Sequence, residues 1–388
     1  MKILYILPSF ANTAGTERVI SDKINFLAGK GFEIFLVTYE QGKHSCAFPL
    51  HSSVRVIDLN TRFFELKQSP YYKRFFLHLG LRRRFKKRLQ NIVDEVLPDI
   101  VICTTYSLKL LDIILYIQTN AYRVIESHVA FFAIQKSYEY RHIPIIRDFA
   151  ELYDHYVFNR LKQCDLMVVL TEGDAMEWRK HVTRVVVIPN PITFYPEHVL
   201  PHDGSGRRII CVGRLHEQKG FDMLIDAFAL IAERCPNWRI DIYGDGSDKA
   251  VLLAKIQKYN FQNRIVINPP TSAIYDEYQR SEFFVLSSRY EGYPLVLNEA
   301  MSCGIPCVAF RCKFGPEDAI TDTINGLLVD NGNVVELADK MLWMMTHTEE
   351  RLLMGVKARE ASSRYEKNVI MNQWVNLFNK TGQGIIND

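Results

Sequence analysis

The sequence predicts an α/β protein with two doubly wound domains, each a parallel β-sheet with helices on both faces. The chain has 388 residues, which is too long for one ordinary core and favours two domains of roughly 180 residues each. Short β-branched segments alternate with helical segments almost from end to end, as in βαβ units. The alternation restarts after a segment rich in proline and glycine, so each half is expected to form its own sheet.

The first domain is predicted over residues 1–193. Several of its strands are apolar on both faces, as parallel strands covered by helices must be. The opening segment is interpreted as a strand and not as a signal peptide, because its apolar run is short and ends at Pro8. The predicted strands are Lys2–Leu7, Glu33–Tyr39, Val54–Leu59, Asp99–Thr104, Arg123–Glu126, Leu166–Leu170 and Val185–Ile188.

The second domain is predicted over residues 206–364, after linker segments at Pro189–Pro196 and His202–Gly206. Its predicted strands are Arg208–Val212, Arg239–Tyr243, Ile265–Ile267, Phe283–Leu286, Cys307–Phe310 and Gly326–Val329. Ligands of doubly wound sheets bind beyond the carboxyl ends of the strands, so the two domains are expected to face a shared cleft. Residues 365–388 are expected to form a helix that packs back across the domains. Its apolar residues, at helical spacing, are Ile370, Trp374, Leu377 and Phe378.

The composition is typical of a soluble globular protein, with 48% hydrophobic and 23% charged residues. No apolar run approaches the roughly 18 residues of a membrane span. The eight cysteines form no C-x-x-C pair, and several lie inside apolar strands. This pattern favours reduced core thiols over disulfides or metal ligands, so a cytoplasmic location is expected.

One segment holds most of the excess positive charge. The formal net charge of the chain is +3, yet residues 66–93 contain nine Lys and Arg and no acid. From Tyr71 to Arg88 the sequence is first aromatic and then densely basic, which predicts contact with an anionic membrane surface or a lipid-diphosphate acceptor. A solvated helix face is the alternative. Nucleic acid is not expected, because the rest of the chain is net acidic. The core-facing stripe of the same helix is Phe85, Leu89, Ile92 and Val96.

Two glutamates bracket the segment E291-G-Y-P-L-V-L-N-E299 at a predicted strand-to-helix turn. An apolar run that ends in small polar residues precedes this segment, and a helix end with another buried strand follows it. Because carboxylates accept hydrogen bonds from hydroxyl groups, Glu291 and Glu299 predict a site that binds a polyhydroxylated ligand.

The second domain opens with a cationic loop, V212-G-R-L-H-E-Q-K-G220. Arg214 offers a planar fork for phosphate oxygens and Lys219 a point charge, a combination suited to a diphosphate. A solvated loop with scattered charge is the alternative. Gly244 and Gly246 form a further strand-to-helix turn, where the missing side chains would let the backbone approach the base side of a ligand. An ordinary turn is the alternative there.

The first domain offers two candidate sites. Gly15 and Thr16 begin the helix after the first strand, where backbone N–H groups can meet an acceptor or a phosphate. The loop is not a G-x-G-x-x-G fingerprint, so a nicotinamide site is not expected. His128 ends an apolar strand and is expected beside the cleft, with a buried structural histidine as the alternative.

No metal site is expected. The sequence contains no D-x-D pair to hold a divalent ion against a nucleotide diphosphate, and no C-x-x-C pair. A diphosphate bound here would therefore be stabilised by Arg, Lys and helix N-termini.

Together these segments resemble the retaining family 4 glycosyltransferases, which have the GT-B fold of two Rossmann-like domains facing a cleft. The resemblance rests on A14-G-T-E-R-V, V212-G-R-L-x-x-x-K-G220 and E291-x7-E299 followed by A-M-S-C-G-I-P. It implies that Arg214 and Lys219 hold the donor diphosphate, and that Glu299 binds the ribose. It also implies that Glu291 and His128 contact the transferred sugar. The backbone implied to face the diphosphate and sugar is that of Gly292, Tyr293, Pro294 and Leu295.

The resemblance extends to members that use UDP-hexose or UDP-N-acetylhexosamine donors. It is carried by S288-R-Y-E-G-Y-P-L-V-L-N-E-A and by F314-G-P-E-D-A-I-T-D. Such members build surface polysaccharides on polyprenyl-diphosphate carriers at the inner face of the cell membrane, and they need no cofactor. A nucleotide-sugar epimerase or phosphorylase of the same fold, and a non-catalytic sugar-nucleotide-binding protein, remain as alternatives.

Overall fold

The computed structural model describes residues 1–12, 15–135, 142–199 and 204–382. Ala14 of the first-domain motif, His202 of the predicted linker and residues 383–388 lie outside these ranges. Within them, thirteen strands form one sheet of seven and one of six, and all of the strand pairings are parallel.

The strands of the first sheet are β1 (Lys2–Leu7), β2 (Glu33–Thr38), β3 (Arg55–Asp58), β4 (Ile100–Thr104), β5 (Tyr122–Glu126), β6 (Leu166–Val169) and β7 (Val185–Val187). Those of the second sheet are β8 (Arg208–Val212), β9 (Arg239–Tyr243), β10 (Ile265–Asn268), β11 (Phe283–Leu286), β12 (Cys307–Phe310) and β13 (Gly326–Val329). Each predicted strand is confirmed, with ends that differ by at most one residue.

The α-helices of the described ranges connect most of these strands, and the last three follow β13. They are α1 (Gly15–Gly29), α2 (Tyr71–Val96), α3 (Leu111–Leu115), α4 (Phe131–Ile134), α5 (Pro144–Leu161), α6 (Glu172–Trp178), α7 (Phe221–Ile231), α8 (Lys249–Lys258), α9 (Ile274–Gln279), α10 (Leu295–Ser302), α11 (Pro316–Ala319), α12 (Val334–Thr346), α13 (Thr348–Ser362) and α14 (Lys367–Gly382).

One compact unit comprises Met1–Ile188 and the segment from Met371 onward. Its strand order is β3-β2-β1-β4-β5-β6-β7, so successive strands are added toward one edge of the sheet up to β3 and toward the other edge from β4 onward, and this order reverses between the neighbouring strands β1 and β4. One apolar core includes side chains from α2, α3, α5 and α6 together with the sheet, which places these four helices on one face. The predicted stripe on α2 is confirmed, since Phe85, Leu89 and Val96 are buried.

The other compact unit comprises Pro189–Ile370. Its strand order is β10-β9-β8-β11-β12-β13, with the reversal between β8 and β11. Because parallel strands end at the same edge of a sheet, the loops after β8, β9 and β11 meet beside this reversal, which is where doubly wound sheets bind ligands. The α/β class and the two doubly wound, Rossmann-like sheets are therefore confirmed.

The C-terminal helix contributes to the first unit from Met371 onward. Trp374 and Phe378 are buried; the Trp374 ring centroid lies 4.0 Å from Lys23 Nζ, and the Phe378 ring lies 6.3 Å from that of Phe32. The compact units thus divide the chain after residues 188 and 370, where the sequence predicted boundaries at 193, 206 and 365. None of the helices in the described ranges combines the length and the hydropathy that a transmembrane span requires.

Candidate functional site

The loop after β8 is held in place by the loop after β11. Gly220 has φ +61°, and a Cβ on it would lie 2.0 Å from the carbonyl oxygen of Ser287, so only glycine fits. The Ser287 hydroxyl donates a hydrogen bond to the carbonyl oxygen of Lys219 at 2.9 Å. The backbone of Lys219 is therefore fixed beside the end of β11.

Lys219 and Glu291, which the sequence predicted as separate ligands, form an ion pair. Lys219 Nζ lies 2.6 Å from Glu291 Oε1, and the same oxygen accepts a hydrogen bond from the Ser288 hydroxyl at 2.6 Å. The Glu291 side chain is 6% exposed and that of Lys219 18%. Glu291 Oε2 accepts no hydrogen bond from any residue of the described ranges, so this oxygen can accept one from a ligand.

Arg214 lies in the same loop but does not join this ion pair. It is exposed, and its side chain has no hydrogen bond or ion pair with the described part of the chain. The backbone beside it is fixed, because Leu215 N donates to the carbonyl oxygen of Asp245 at 2.9 Å. Arg214 is thus a solvent-facing cation on an anchored loop that also carries Lys219 of the ion pair.

Gly244 and Gly246 are required by the packing of two loops. A Cβ on Gly244 would lie 1.9 Å from the carbonyl oxygen of Gly213, and one on Gly246 would lie 2.3 Å from that of Leu215. The close backbone approach is therefore to the cationic loop itself. Contact of this turn with the base of a nucleotide stays a prediction.

The segment from Gly292 to Leu295 leads into α10. The Tyr293 side chain points into the protein, where its hydroxyl accepts a hydrogen bond from Asn298 Nδ2 at 2.8 Å. Burial raises the pKa of Tyr293 well above its ordinary value. Pro294 is the residue before the first turn of the eight-residue helix. The Tyr293 hydroxyl is thus engaged by the protein at this helix start.

Glu299 lies in α10, whereas Glu291 lies in the loop before it. Glu299 is partly exposed, and its carbonyl oxygen accepts a hydrogen bond from the Ser302 hydroxyl at 2.7 Å. The two predicted glutamates therefore occupy different settings. Glu291 is held by a lysine, and Glu299 projects from a helix.

In the first unit, Gly15 and Thr16 begin α1 as predicted. The Thr16 hydroxyl lies 3.1 Å from that of Tyr106. A Cβ on Gly15 would meet no heavy atom within 4 Å, so packing does not require glycine at this position. Contact of this loop with a phosphate or an acceptor stays a prediction.

His128 follows the end of β5 and has one partnered and one unpartnered ring nitrogen. Its Nε2 lies 3.1 Å from Glu126 Oε2. The side chain is only 4% exposed. Its Nδ1 is buried and has no hydrogen-bond partner in the described ranges. The histidine is thus buried, as the structural alternative required, yet it keeps an acceptor or donor position open.

Sequence reasoning missed the charged cluster that holds His128. Glu126 accepts hydrogen bonds from Lys23 Nζ and from the Tyr5 hydroxyl. Burial alone would raise the pKa of Glu126, but the neighbouring Lys23 and His128 lower it to about 2. A signal was present in the sequence, because Lys23 lies on the same face of α1 as the buried residues Ile20, Ile24 and Leu27.

The basic helix α2 presents a continuous exposed stripe. Tyr72, Phe75 and Phe76 are 73%, 65% and 75% exposed, and helical spacing continues this face through Arg83 and Lys86. Between Arg83 and Lys87, the exposed basic residues Arg83, Arg84, Lys86 and Lys87 have no hydrogen bond or ion pair through their side chains in the described ranges. The three other arginines of α2 have internal partners. Arg82 pairs with Asp112, and Arg74 and Arg88 donate to backbone carbonyls.

Sequence reasoning also missed an exposed apolar face on α5. Ile145, Phe149, Leu152 and Tyr156 follow helical spacing and are 75%, 71%, 69% and 50% exposed. α2 and α5 pack on the same sheet face, and each precedes a strand of the parallel sheet. Both N-terminal halves therefore lie at the carboxyl edge of the sheet.

The described residues contain no group of three His, Cys, Asp or Glu side chains that could hold a metal ion. The eight cysteines are free, and all except Cys46 are buried. Burial raises the pKa of the Cys312 thiol, near Glu291, to about 12. The predicted core location is confirmed for these seven cysteines, and their reduced state stays a prediction.

Two family models together match most of the chain. The model for Glycosyltransferase Family 4 matches residues 13–194, and that for Glycosyl transferases group 1 matches residues 197–361. The second match contains the loop of Lys219 and the Glu291 segment. The chain belongs to glycosyltransferase family 4 and has the GT-B fold, as the resemblance implied; it is a glycosyltransferase.

Similar proteins share nearly the full length of the chain. The amylovoran biosynthesis glycosyltransferase AmsD of Erwinia amylovora is 26% identical over 97% of this chain and 99% of its own. The GalNAc-alpha-(1->4)-GalNAc-alpha-(1->3)-diNAcBac-PP-undecaprenol alpha-1,4-N-acetyl-D-galactosaminyltransferase of Campylobacter jejuni is 22% identical over 97% and 98%. The crystal structure of HepE from Anabaena, in complex with UDP and glucose, superposes with a TM-score of 0.70 at 20% identity, over 98% of this chain and 100% of HepE.

Proposed function

We propose that this protein transfers a hexose or an N-acetylhexosamine from a UDP-sugar to a lipid-linked glycan in surface polysaccharide assembly. The observation that carries the proposal is the Lys219–Glu291 pair, which leaves one carboxylate oxygen and two lysine N–H groups for a ligand beside the exposed Arg214. Similarity to AmsD supports polysaccharide assembly, and the Campylobacter jejuni relative acts on a PP-undecaprenol-linked glycan. The UDP and glucose bound to HepE support the donor.

In the proposed complex, Lys219 and Arg214 bind the diphosphate together with the backbone of residues 292–295. Glu299 binds the ribose hydroxyls, and Glu291 Oε2 accepts a hydrogen bond from the transferred sugar. The bond between the anomeric carbon and the UDP oxygen lengthens in the transition state, so negative charge develops on the diphosphate. Cations fixed in advance stabilise that charge without reorganisation. No metal ion or cofactor is required for this step.

The transfer is proposed to retain the anomeric configuration. The acceptor hydroxyl attacks the anomeric carbon on the face from which UDP departs, its proton passes to the leaving diphosphate oxygen, and one C–O bond replaces another. His128 contacts the sugar but forms no covalent bond with it. Proton NMR of the first-formed product reports the configuration. A glycosyl group trapped on any side chain contradicts same-face attack.

A donor panel tests the function. Purified protein is incubated with UDP-, GDP- and ADP-sugars, with and without polyprenyl-diphosphate-linked glycans, and nucleotide release is measured. We expect release with a UDP-sugar, accelerated by the acceptor and lowered about 10²- to 10³-fold by Glu291→Gln, in line with the loss of a transition-state contact.

The matched control is Glu360→Gln, because Glu360 also pairs with a lysine of the second unit but lies at the surface; its activity should be unchanged. Conversion of the donor sugar without an acceptor would indicate an epimerase. Failure to bind or turn over any nucleotide sugar contradicts the proposed function.

We also propose that the protein works in the cytoplasm and binds the inner face of the cell membrane through α2 and α5. The exposed apolar faces at the carboxyl edge of the first sheet would enter the interface, and the basic half of α2 would contact anionic headgroups. Association with vesicles of phosphatidylglycerol and phosphatidylcholine should exceed that with phosphatidylcholine alone and should fall with salt.

Replacing four basic residues tests this surface. We expect at least about a tenfold loss of binding to the anionic vesicles when Arg83, Arg84, Lys86 and Lys87 become Gln, since each adds roughly 1 kcal/mol near such a surface. Phe149→Ser should weaken binding at constant charge. The charge-matched control replaces exposed residues of the second unit, namely Arg234, Arg239, Lys249 and Lys258. Equal losses in both sets contradict a specific membrane face.

A further inference from the structure

The side chains of Tyr5, Lys23 and Glu126 form a sealed polar cluster within the first unit. Each is at most 2% exposed. Glu126 Oε1 accepts from Lys23 Nζ, and Oε2 accepts from the Tyr5 hydroxyl. Lys23 Nζ also lies 3.1 Å from the Tyr5 hydroxyl, and the Trp374 ring covers it. Among the residues that the structure describes, the only other group within hydrogen-bonding distance of this carboxylate is His128 Nε2, at 3.1 Å.

Stability alone does not account for this cluster. Buried ion pairs can often be replaced by apolar side chains of similar volume without loss of stability, because desolvation offsets their attraction. Here two donors converge on one carboxylate, and that carboxylate is turned toward a histidine. Three elements, β1, α1 and β5, contribute the cluster at the carboxyl edge of the sheet, where doubly wound proteins bind ligands.

The arrangement determines which histidine nitrogen carries the proton. A carboxylate held by a lysine and a tyrosine can only accept hydrogen bonds, so His128 Nε2 must donate. In the neutral ring, Nδ1 then carries a lone pair. A buried acceptor without a donor is unfavourable, because it has lost its hydrogen bond to water, and Nδ1 has no donor in the described ranges.

We infer that Tyr5, Lys23 and Glu126 are positioning residues that hold His128 with its proton on Nε2 and its Nδ1 lone pair ready for a sugar hydroxyl. The inference rests on the proposed function for the identity of the ligand. Solvent touches only 4% of the His128 side chain, so a hydroxyl that reaches Nδ1 forms its hydrogen bond in surroundings of low dielectric constant, where the bond is strong.

The protonated nitrogen is tested by ¹⁵N NMR of the histidine rings in the ligand-free protein, with the His128 signals assigned by their loss in His128→Gln. We expect the Nε2–H tautomer in the wild type. Glu126→Gln should abolish this preference, because an amide can donate as well as accept. An unchanged His128 tautomer in Glu126→Gln overturns the inference.

His347 provides an internal reference, because its proton is expected on the other ring nitrogen. Its Nδ1 lies 3.0 Å from the carbonyl oxygen of Trp343, so its proton is expected on Nδ1. The His347 signals should be the same in wild type and Glu126→Gln. A change at both histidines would indicate altered folding and would contradict a local effect on His128.

Steady-state kinetics show whether Lys23 and Glu126 position His128 or only stabilise the fold. The double variant Lys23→Met/Glu126→Leu removes both charges and keeps apolar volume. We expect kcat for a UDP-sugar to fall about tenfold to a hundredfold, the range found when groups that orient metal-binding histidines are removed, with less than a twofold change in the KM of the donor. Unchanged kcat in the folded double variant overturns the inference.

The matched control is Arg351→Met/Glu282→Leu. This ion pair is as deeply buried, at 0% and 5% exposure, but it belongs to the second unit and lies outside the proposed site. Its folded form should keep kcat, and an equal loss in both double variants overturns a positioning role. Full activity of His128→Ala would remove the sugar contact from the proposed function, whereas an inactive His128→Ala with a fully active Glu126→Gln would remove only the positioning residues.

Discussion

Each compact unit places a lysine–glutamate pair at the carboxyl edge of its sheet, and the two pairs differ in their access to solvent. Lys23 and Glu126 are 1% and 2% exposed, whereas Lys219 and Glu291 are 18% and 6% exposed. The sealed pair can influence a ligand only through a neighbouring side chain, and that neighbour is His128. The more open pair can divide its hydrogen bonds between the protein and a ligand.

Local structure explains the difference. Lys23 extends from the buried face of α1, and Trp374 covers it. Lys219 lies in a short turn, Glu217–Lys219, between β8 and α7, with no aromatic ring over its ammonium among the described residues. The same two residue types therefore serve as internal support in one sheet and as a candidate ligand site in the other.

The largest expected effect is on stability. Lys23→Met leaves Glu126 buried without its ion partner and should lower the free energy of unfolding by about 3–5 kcal/mol. Lys219→Met should lower it by less than half as much, because Lys219 and Glu291 reach solvent. Hydrogen exchange of the β1 and β8 amides, read in each variant, reports the two units separately. Equal losses at the two sites would contradict the comparison.

Acid should remove the contribution of Glu126. Its pKa in the folded protein is about 2, below the ordinary value of 4.5, so the unfolded chain takes up this proton first as the pH falls. The carboxylate therefore stabilises the fold above about pH 5, by roughly 3 kcal/mol for a shift of this size, and loses that contribution between pH 4.5 and 2. The difference in unfolding free energy between wild type and Glu126→Gln should shrink over this range. A difference independent of pH would contradict the assignment.

Ligand binding should depend on the more exposed pair, Lys219 and Glu291. Lys219→Met should weaken the affinity for UDP about 10- to 100-fold, the loss expected for one hydrogen bond to a charged group, as measured by calorimetry. Lys249→Met serves as the control, since Lys249 is an exposed lysine of the same unit, 3.8 Å from Asp245. Unchanged UDP affinity in Lys219→Met would remove this lysine from the donor site.

The smallest expected effect is at Ser288. Its hydroxyl orients Glu291 from 2.6 Å, so Ser288→Ala should lower kcat only a few-fold, equivalent to about 1 kcal/mol for one hydrogen bond. Tyr5→Phe is the corresponding change at the sealed pair and should alter stability more than donor affinity. A loss of stability without a loss of kcat in Ser288→Ala, together with a loss of donor affinity without a loss of stability in Tyr5→Phe, would contradict the separate roles of the two pairs.

Most of the fold could be predicted because its signals are local. Apolar strands bounded by turns, such as Phe283–Leu286 and Gly326–Val329, are visible in short windows of sequence. The compact units were harder to delimit, because the contribution of Met371 and the residues after it to the first unit depends on contacts distant in sequence.

The sequence predicted several residues of the candidate site, but it did not predict which of them contact each other. Lys219 and Glu291 were identified from separate motifs, yet their ion pair brings together residues 72 positions apart. Lys23 and Glu126 are 103 positions apart, and neither belongs to a recognisable motif. Their charges become informative only once the helix face and the strand end are known to be buried together.

The ring of Trp374 over Lys23 also has a consequence for biosynthesis. A ribosome makes the sheet of the first unit before residue 189 and then makes the entire second unit before Trp374 and Phe378 exist. Early domains commonly fold while later ones are still being translated. Here the nascent first unit carries a lysine without its aromatic cover while Pro189–Ile370 is translated, so the first unit is completed only after the second has been made.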